Sequence, residues 1–295
     1  MRDRCIVADT VAPMSGPLHD SQPDEAVLAR QANDRRFLGL EILGPSTASF
    51  SLTRPLSRHD GRLYGGTAVA AAIAMAEHGT GRPSLWTTVQ FVSGAASVGD
   101  RIDCEVEVLA AGRRTAQVRV TGRLSGRELF CALGATAILK GRGLEGVFED
   151  FPSVAAPEDC DEFRFPIPEH LQEMIERERL MEMRIAREVG GAEASSGELR
   201  FWARVPGYEA TPAVIGYLAD MVPMAVVKAA GRVGGGTSLD NTLRVGHATT
   251  TEWVLLQLDP HLAVGGYGTG TGHVWAPDGT YVATASQTAA LLVLD

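Results

Sequence analysis

Asp220 and Ser238 are the side chains from which a reaction can be built in this sequence. A carboxylate can take a proton, and a neighbouring hydroxyl can orient the molecule that gives it up. Residues 212–228 read PAVIGYLADMVPMAVVK, and Val214, Ile215, Leu218, Met221, Val222, Met224, Ala225, Val226 and Val227 leave Tyr217 and Asp220 as the polar groups before Lys228. A helix apolar on every side is a buried helix. An ionised carboxylate inside one costs on the order of several kcal/mol unless it is paired or hydrogen-bonded. Asp220 therefore needs partners, or a function that repays the cost. Gly234, Gly235 and Gly236 are expected to end the helical element, and Thr237-Ser238-Leu239-Asp240 to open a strand that brings Ser238 into the same site.

Each residue also has a plainer reading. Asp220 could brace a neighbouring element, and Pro223 removes the backbone bond to the Ala219 carbonyl, which invites local rearrangement. Ser238 is a poor candidate nucleophile, because no GxSxG elbow surrounds it and no motif places a histidine as its base. The run from Gly265 to Gly272 contains a GxGxxG, but a dinucleotide loop must open a helix, and here His273-Val274-Trp275 and the turn Asp278-Gly279 follow. It reads as a glycine-rich strand passing close to a helix. His59 and the other histidines lack metal-ligand spacing and read as surface or loop residues.

The elements that must position these groups fall into two similar sets. Residues 1–35 read as an N-terminal extension with a helical turn or two at 25–33. Strands are expected at 37–43 and 47–53, a helix from Gly65-Gly66 to about His78, and strands at 85–93, 100–109, 114–124 and 128–139. Residues 141–178, rich in Pro, Asp and Glu and ending in a charged helix at 168–178, form a connector. The pattern then returns: strands at 180–187 and 198–205, the helix from Pro212, and strands at 237–245, 252–258, 263–275 and 281–292. Residues match as well: Ser84-Leu85 answers Ser238-Leu239, and Gly134-Ala135-Thr136-Ala137 answers Ser286-Gln287-Thr288-Ala289. Two copies of one unit imply a duplicated pair. A curved antiparallel sheet around one central helix is the simplest way to bury an all-apolar helix, so the fold class is α+β, a double hotdog. Its units are 36–140 and 179–295.

Composition bounds the rest. The chain has 295 residues, a net charge of −9 and no basic cluster, which argues against a nucleic-acid binder. Apolar runs fall short of a bilayer span and no apolar leader is evident, so a cytoplasmic protein without a membrane span is expected. Cys5, Cys104, Cys131 and Cys160 are far apart with no CxxC, which suggests neither zinc nor disulfides. No metal or cofactor is expected.

At this point the chain resembles the double-hotdog acyl-CoA thioesterases of the bacterial thioesterase II type. The matching residues are Tyr64-Gly65-Gly66, Gly112-Arg113, Trp202 and Arg204, Tyr217-Leu218-Ala219-Asp220, Ser238-Leu239-Asp240, Glu252-Trp253-Val254-Leu255-Leu256, Asp278-Gly279 and Val282-Ala283-Thr284-Ala285-Ser286-Gln287. The resemblance implies hydrolysis of an acyl-CoA, with the attacking water held by Asp220, Ser238 and Gln287. Gly65, Gly66 and Thr67 open the first helix and could be turn residues, but free N–H groups and a positive helix end facing the cleft between the halves make them candidate substrate-binding residues, with Gly66 and Thr67 polarising the carbonyl. Where the family continues its serine-leucine-aspartate run with histidine, this chain has Asn241, and Gln287 is followed by Thr288-Ala289 rather than glutamate and glycine. A degenerate acyl-binding double hotdog is therefore an alternative, while a hydratase is disfavoured by the lack of a D-x-N-P-x-H run. The first helix lacks a central acid and Ala135 lies near the counterpart of Gln287, so one site is expected, in the C-terminal half. Association into a homodimer, or a tetramer built from it, is also expected.

Overall fold

The computed structural model describes residues 25–139, 143–164, 180–189 and 197–294. Its strands are β1 (Glu41–Ile42), β2 (Thr47–Ser51), β3 (Ser84–Phe91), β4 (Arg101–Ala111), β5 (Thr115–Leu124), β6 (Arg127–Ala137), β7 (Glu182–Ile185), β8 (Leu199–Arg204), β9 (Gly234–Val245), β10 (Val254–Val264), β11 (Tyr267–Trp275) and β12 (Tyr281–Val293). They form one antiparallel sheet in the order β1-β2-β4-β5-β6-β3-β9-β12-β11-β10-β8-β7. Read inward from either edge, the two halves have the same connectivity. They meet at β3 and β9, where Thr88 lies opposite Thr242 and their hydroxyls are 2.9 Å apart. This is the expected double hotdog.

Alternation decides which face is inside. In β4 and β5, Ile102, Cys104, Val106, Val118 and Val120 point inward and are buried, while Glu105, Glu107, Arg119 and Arg123 form ion pairs on the outer face. The inner face wraps α2 (Gly65–Thr80), α3 (Pro212–Leu218) and α4 (Val222–Ala229). α2 and α3 pack against each other, so both halves share one apolar core. Pro212–Ala229 is apolar enough to consider as a membrane span, but 72% of it is buried inside this protein, as befits a core helix.

Four expectations need correction. The stretch from Pro212 is two helices rather than one. Thr211 caps α3 by accepting the Val214 N–H, but Pro223 has no N–H to offer the Ala219 carbonyl, which takes the Met221 N–H at 2.8 Å instead. Asp220 sits in the resulting break. Gly234, Gly235 and Gly236 do not end the helical element; they begin β9, where a Cβ at Gly236 would come within 3.0 Å of Pro223. Residues 37 and 38 belong to helix α1 (Glu25–Leu38), not to a strand, and α1 packs on α2 and α3 through Gln31 to the Glu77 carbonyl and Thr211 to the Asp34 carboxylate. Finally, β3 and β9 each carry a bulge, β3 against β6 and β9 against β12, with Leu85 and Leu239 as the extra residues. Superposing the bulges keeps Ser84 with Ser238 but sets Gly134, not Ala135, opposite to where Gln287 stands.

The expected helix at 168–178 lies outside the described residues. Of the described part of the connector, Val154, Ala155 and Cys160 pack on the outer face, where the Trp202 indole N–H donates to the Ala155 carbonyl at 2.9 Å, while Phe163 packs on Phe201 of the main core.

Candidate active site

The break between α3 and α4 turns the Asp220 side chain toward β9 and β12. Its Oδ1 accepts from the Ser238 hydroxyl at 3.2 Å, the Asn241 amide at 3.0 Å and the Gln287 amide at 2.5 Å. Gln287 Nε2 also donates to Ser238 Oγ at 2.6 Å, which closes the trio expected from the sequence into one network. On the other side the Gly66 N–H, at the start of α2, donates to the same carboxylate. A Cβ on Gly65 would stand 2.5 Å from Asp220 Oδ2 and one on Gly66 would stand 2.4 Å from the Tyr217 carbonyl oxygen, so only glycine permits this approach of the two halves. Tyr64 donates its hydroxyl to the Asp220 backbone carbonyl at 3.2 Å and stacks edge-on against Tyr217.

Burial pushes the Asp220 carboxyl up to about 6, against the lowering effect of Asn241, Ser238, the Gly66 N–H and Gln287. Burial and the Asp220 charge likewise raise Tyr64 well above the ordinary tyrosine value. Asp220, Ser238 and Gly65 each keep a partial opening to solvent, whereas Asn241 and Gln287 are buried behind them. Gln287 Oε1 is a buried acceptor without a hydrogen-bond partner among the described residues. This arrangement can hold a base at the mouth of a polar recess and leave an acceptor inside it.

Thr67 is not brought to this recess. Its hydroxyl donates to the Leu56 carbonyl at 2.7 Å and its N–H to the Tyr64 carbonyl, so it pins the loop before α2. Asn241 is the member of the site not expected from the sequence. Strict alternation would pair Ser238 with Asp240 on one face and send Asn241 to the other; the extra residue Leu239 reverses this. Asp240 instead accepts the Thr288 N–H at 2.9 Å. No local residue pattern announces that bulge.

The first half contains no second trio among the described residues. Ser84 occupies the place of Ser238, but its N–H donates to the fully buried Glu77 carboxylate, and Gly134 brings no amide. No group of three or more His, Cys, Asp or Glu residues that could hold a metal occurs among the described residues.

Comparison with known proteins gives a consistent result. A candidate thioesterase from Novosphingobium aromaticivorans is 29% identical, with a TM-score of 0.75 over 87% of this chain and 98% of its own. The tesB protein of Mycobacterium avium subsp. paratuberculosis (20% identity, TM-score 0.67, 92% of this chain and 99% of that one) shares the fold. So does TesB2, an acyl-CoA thioesterase II of Mycobacterium marinum (17%, 0.66, 89% and 99%). No curated protein matches the chain. The family profile for the acyl-CoA thioesterase N-terminal domain matches residues 53–139 and that for the C-terminal domain matches residues 157–291; with both halves in their proper order, the chain belongs to the acyl-CoA thioesterase family.

Proposed function

We propose that this protein hydrolyses an acyl-CoA to the free acid and CoA, with Asp220 as the base. The observation that carries the reading is a carboxylate on a part-exposed residue, pushed up to about 6 by burial, that faces the N-terminus of a helix from the other half. Asp220 takes a proton from water as the water oxygen bonds to the thioester carbonyl carbon. The resulting oxyanion is stabilised by the N–H groups of Gly65 and Gly66, which lie at the positive end of α2. Protonation of Asp220 weakens its hold on the Gly66 N–H at the moment the oxyanion needs it. Collapse of the tetrahedral intermediate breaks the C–S bond, and the proton on Asp220 passes to the departing thiolate. Ser238 and Gln287 keep the carboxylate and the water in register.

Thiol release from a panel of acyl-CoAs tests this. Asp220→Asn should lower kcat/KM about a hundredfold or more with the fold retained, in line with the usual contribution of a general base. Equal turnover by parent and variant across the panel would sink the assignment. Absence of turnover in both would favour the acyl-binding alternative.

We also propose a homodimer, or a tetramer built from it. The edges of the sheet offer little for this: β1 has two residues, β7 has four, and Glu162 bridges to Arg184 in β7. Association would use faces rather than edges. Light scattering at micromolar concentration should report more than one chain; a monomer would contradict it without touching the catalytic assignment.

A further inference from the structure

We propose that Asn241 is a positioning residue that fixes Asp220 through Oδ1, so that Oδ2 is the oxygen left to take the proton from water. The inference rests on reading Asp220 as the base. A carboxylate oxygen offers about two lone-pair directions, and Oδ1 already receives three side-chain donors, from Ser238, Asn241 and Gln287. Oδ2 receives none of these side-chain donors; it lies against Gly65, where the Gly66 N–H also approaches the carboxylate at the start of α2.

The three donors are not equivalent. The Ser238 hydroxyl is at 3.2 Å and can turn to a water, and Gln287 divides Nε2 between Asp220 and Ser238. Among the described residues Asn241 gives its amide to Asp220 alone, from a position 2% exposed. Its backbone is held on both sides, opposite Val89 in β3 and opposite Gln287 in β12, at the seam between the two halves. A donor fixed there cannot follow the water; it can only hold the carboxylate. The other ionisable groups around Asp220 have partners of their own: Tyr64 donates to the Asp220 backbone and Tyr217 to the Pro55 carbonyl, Asp240 accepts the Thr288 N–H, and Arg58 pairs with Asp60 and donates to the Thr237 hydroxyl.

Asn241→Leu removes the donor at similar volume, and Asn241→His restores an N–H at the same δ position. The Asp220 carboxyl is followed by 13C NMR titration, identified by difference from Asp220→Asn, alongside the pH profile of kcat/KM. With leucine, the Asp220 midpoint and the acid limb of the profile should both rise by about one pH unit, as loss of one hydrogen bond to a charged group predicts. With histidine both should return toward the parent. Asn241→Ala gives the same reading where the leucine variant does not fold. A folded Asn241→Leu or Asn241→Ala protein whose Asp220 midpoint is that of the parent would overturn the proposal. The titration reads this whether or not the protein turns over acyl-CoA, so failure of the proposed function is seen separately, as equal turnover by the parent and Asp220→Asn.

Discussion

A carboxyl pushed up to about 6 is a stronger base than an ordinary aspartate, yet it remains mostly ionised at neutral pH. The proposed mechanism therefore gives a kcat/KM that rises with pH through about 6 with the slope of one proton and is level above it. A profile limited near the ordinary aspartate value would separate Asp220 from the base. The same burial has a cost in stability. The folded protein holds the Asp220 proton up to about pH 6, whereas the unfolded chain releases it near 3.8. Below pH 3.8 both states are protonated and the penalty is absent; between the two values the folded state binds more protons, so stability falls as pH rises, and above 6 the full penalty remains. Urea unfolding of the parent and of Asp220→Asn should show the parent losing, relative to the variant, on the order of 3 kcal/mol from pH 4 to pH 7. A constant difference across that range would mean that the carboxyl is solvated as an ordinary one. Asp34, buried and pushed up to about 7, contributes with the same sign from outside the site, so the comparison must be made against Asp220→Asn and not against the parent curve alone.

At the level of elements, the sequence made the buried acid legible but not the way it is presented. Apolar composition identified α3 and α4 as core, and Pro223 gave reason to expect rearrangement; that the break falls at Asp220 depends on where the Ala219 carbonyl finds another donor, which is a matter of three-dimensional geometry. The resemblance supplied Ser238 and Gln287, and the structure brings both to Asp220. Asn241 was hidden because a bulge changes the parity of a strand without any required residue type, whereas Gly65 and Gly66, expected to bind substrate, are also the points where the other half comes too close for a Cβ. The two glycines should nevertheless behave differently on substitution. A Cβ at Gly65 meets the Asp220 carboxylate and the Phe91 ring, both side chains, so Gly65→Ala should displace the base and cut kcat/KM at least tenfold, with a smaller loss of unfolding stability than Gly66→Ala. A Cβ at Gly66 meets the Tyr217 backbone, so Gly66→Ala should force α2 from α3 and lower stability by about 1–3 kcal/mol, the usual cost of overpacking. Equal stability losses for the two, measured by urea unfolding, would contradict this division.

At the scale of the molecule, the duplicated plan was readable from the repeated order of strands and helix, because each half conceals one apolar helix under alternating strands. What the repeat did not reveal is that the halves are inseparable in the folded state. β3 is hydrogen-bonded to β6 of its own half and to β9 of the other, α2 packs on α3, and the largest cluster of buried side chains runs through both units. Neither half can lose structure without baring the helix face and the strand edge of its neighbour. Heating should therefore give a single calorimetric transition whose van't Hoff and calorimetric enthalpies agree, although two units of this size could in principle melt separately. Thr88→Pro places the test at the seam: Thr88 lies between Leu133 of β6 and Thr242 of β9, and proline in a central strand removes a ladder hydrogen bond. The expected result is one transition, moved to lower temperature, with hydrolytic activity lost along the same curve, since Asp220 comes from one half and the α2 N-terminus from the other. A variant that melts in two steps, with the C-terminal half outlasting the N-terminal one, would show that the shared core does not couple them.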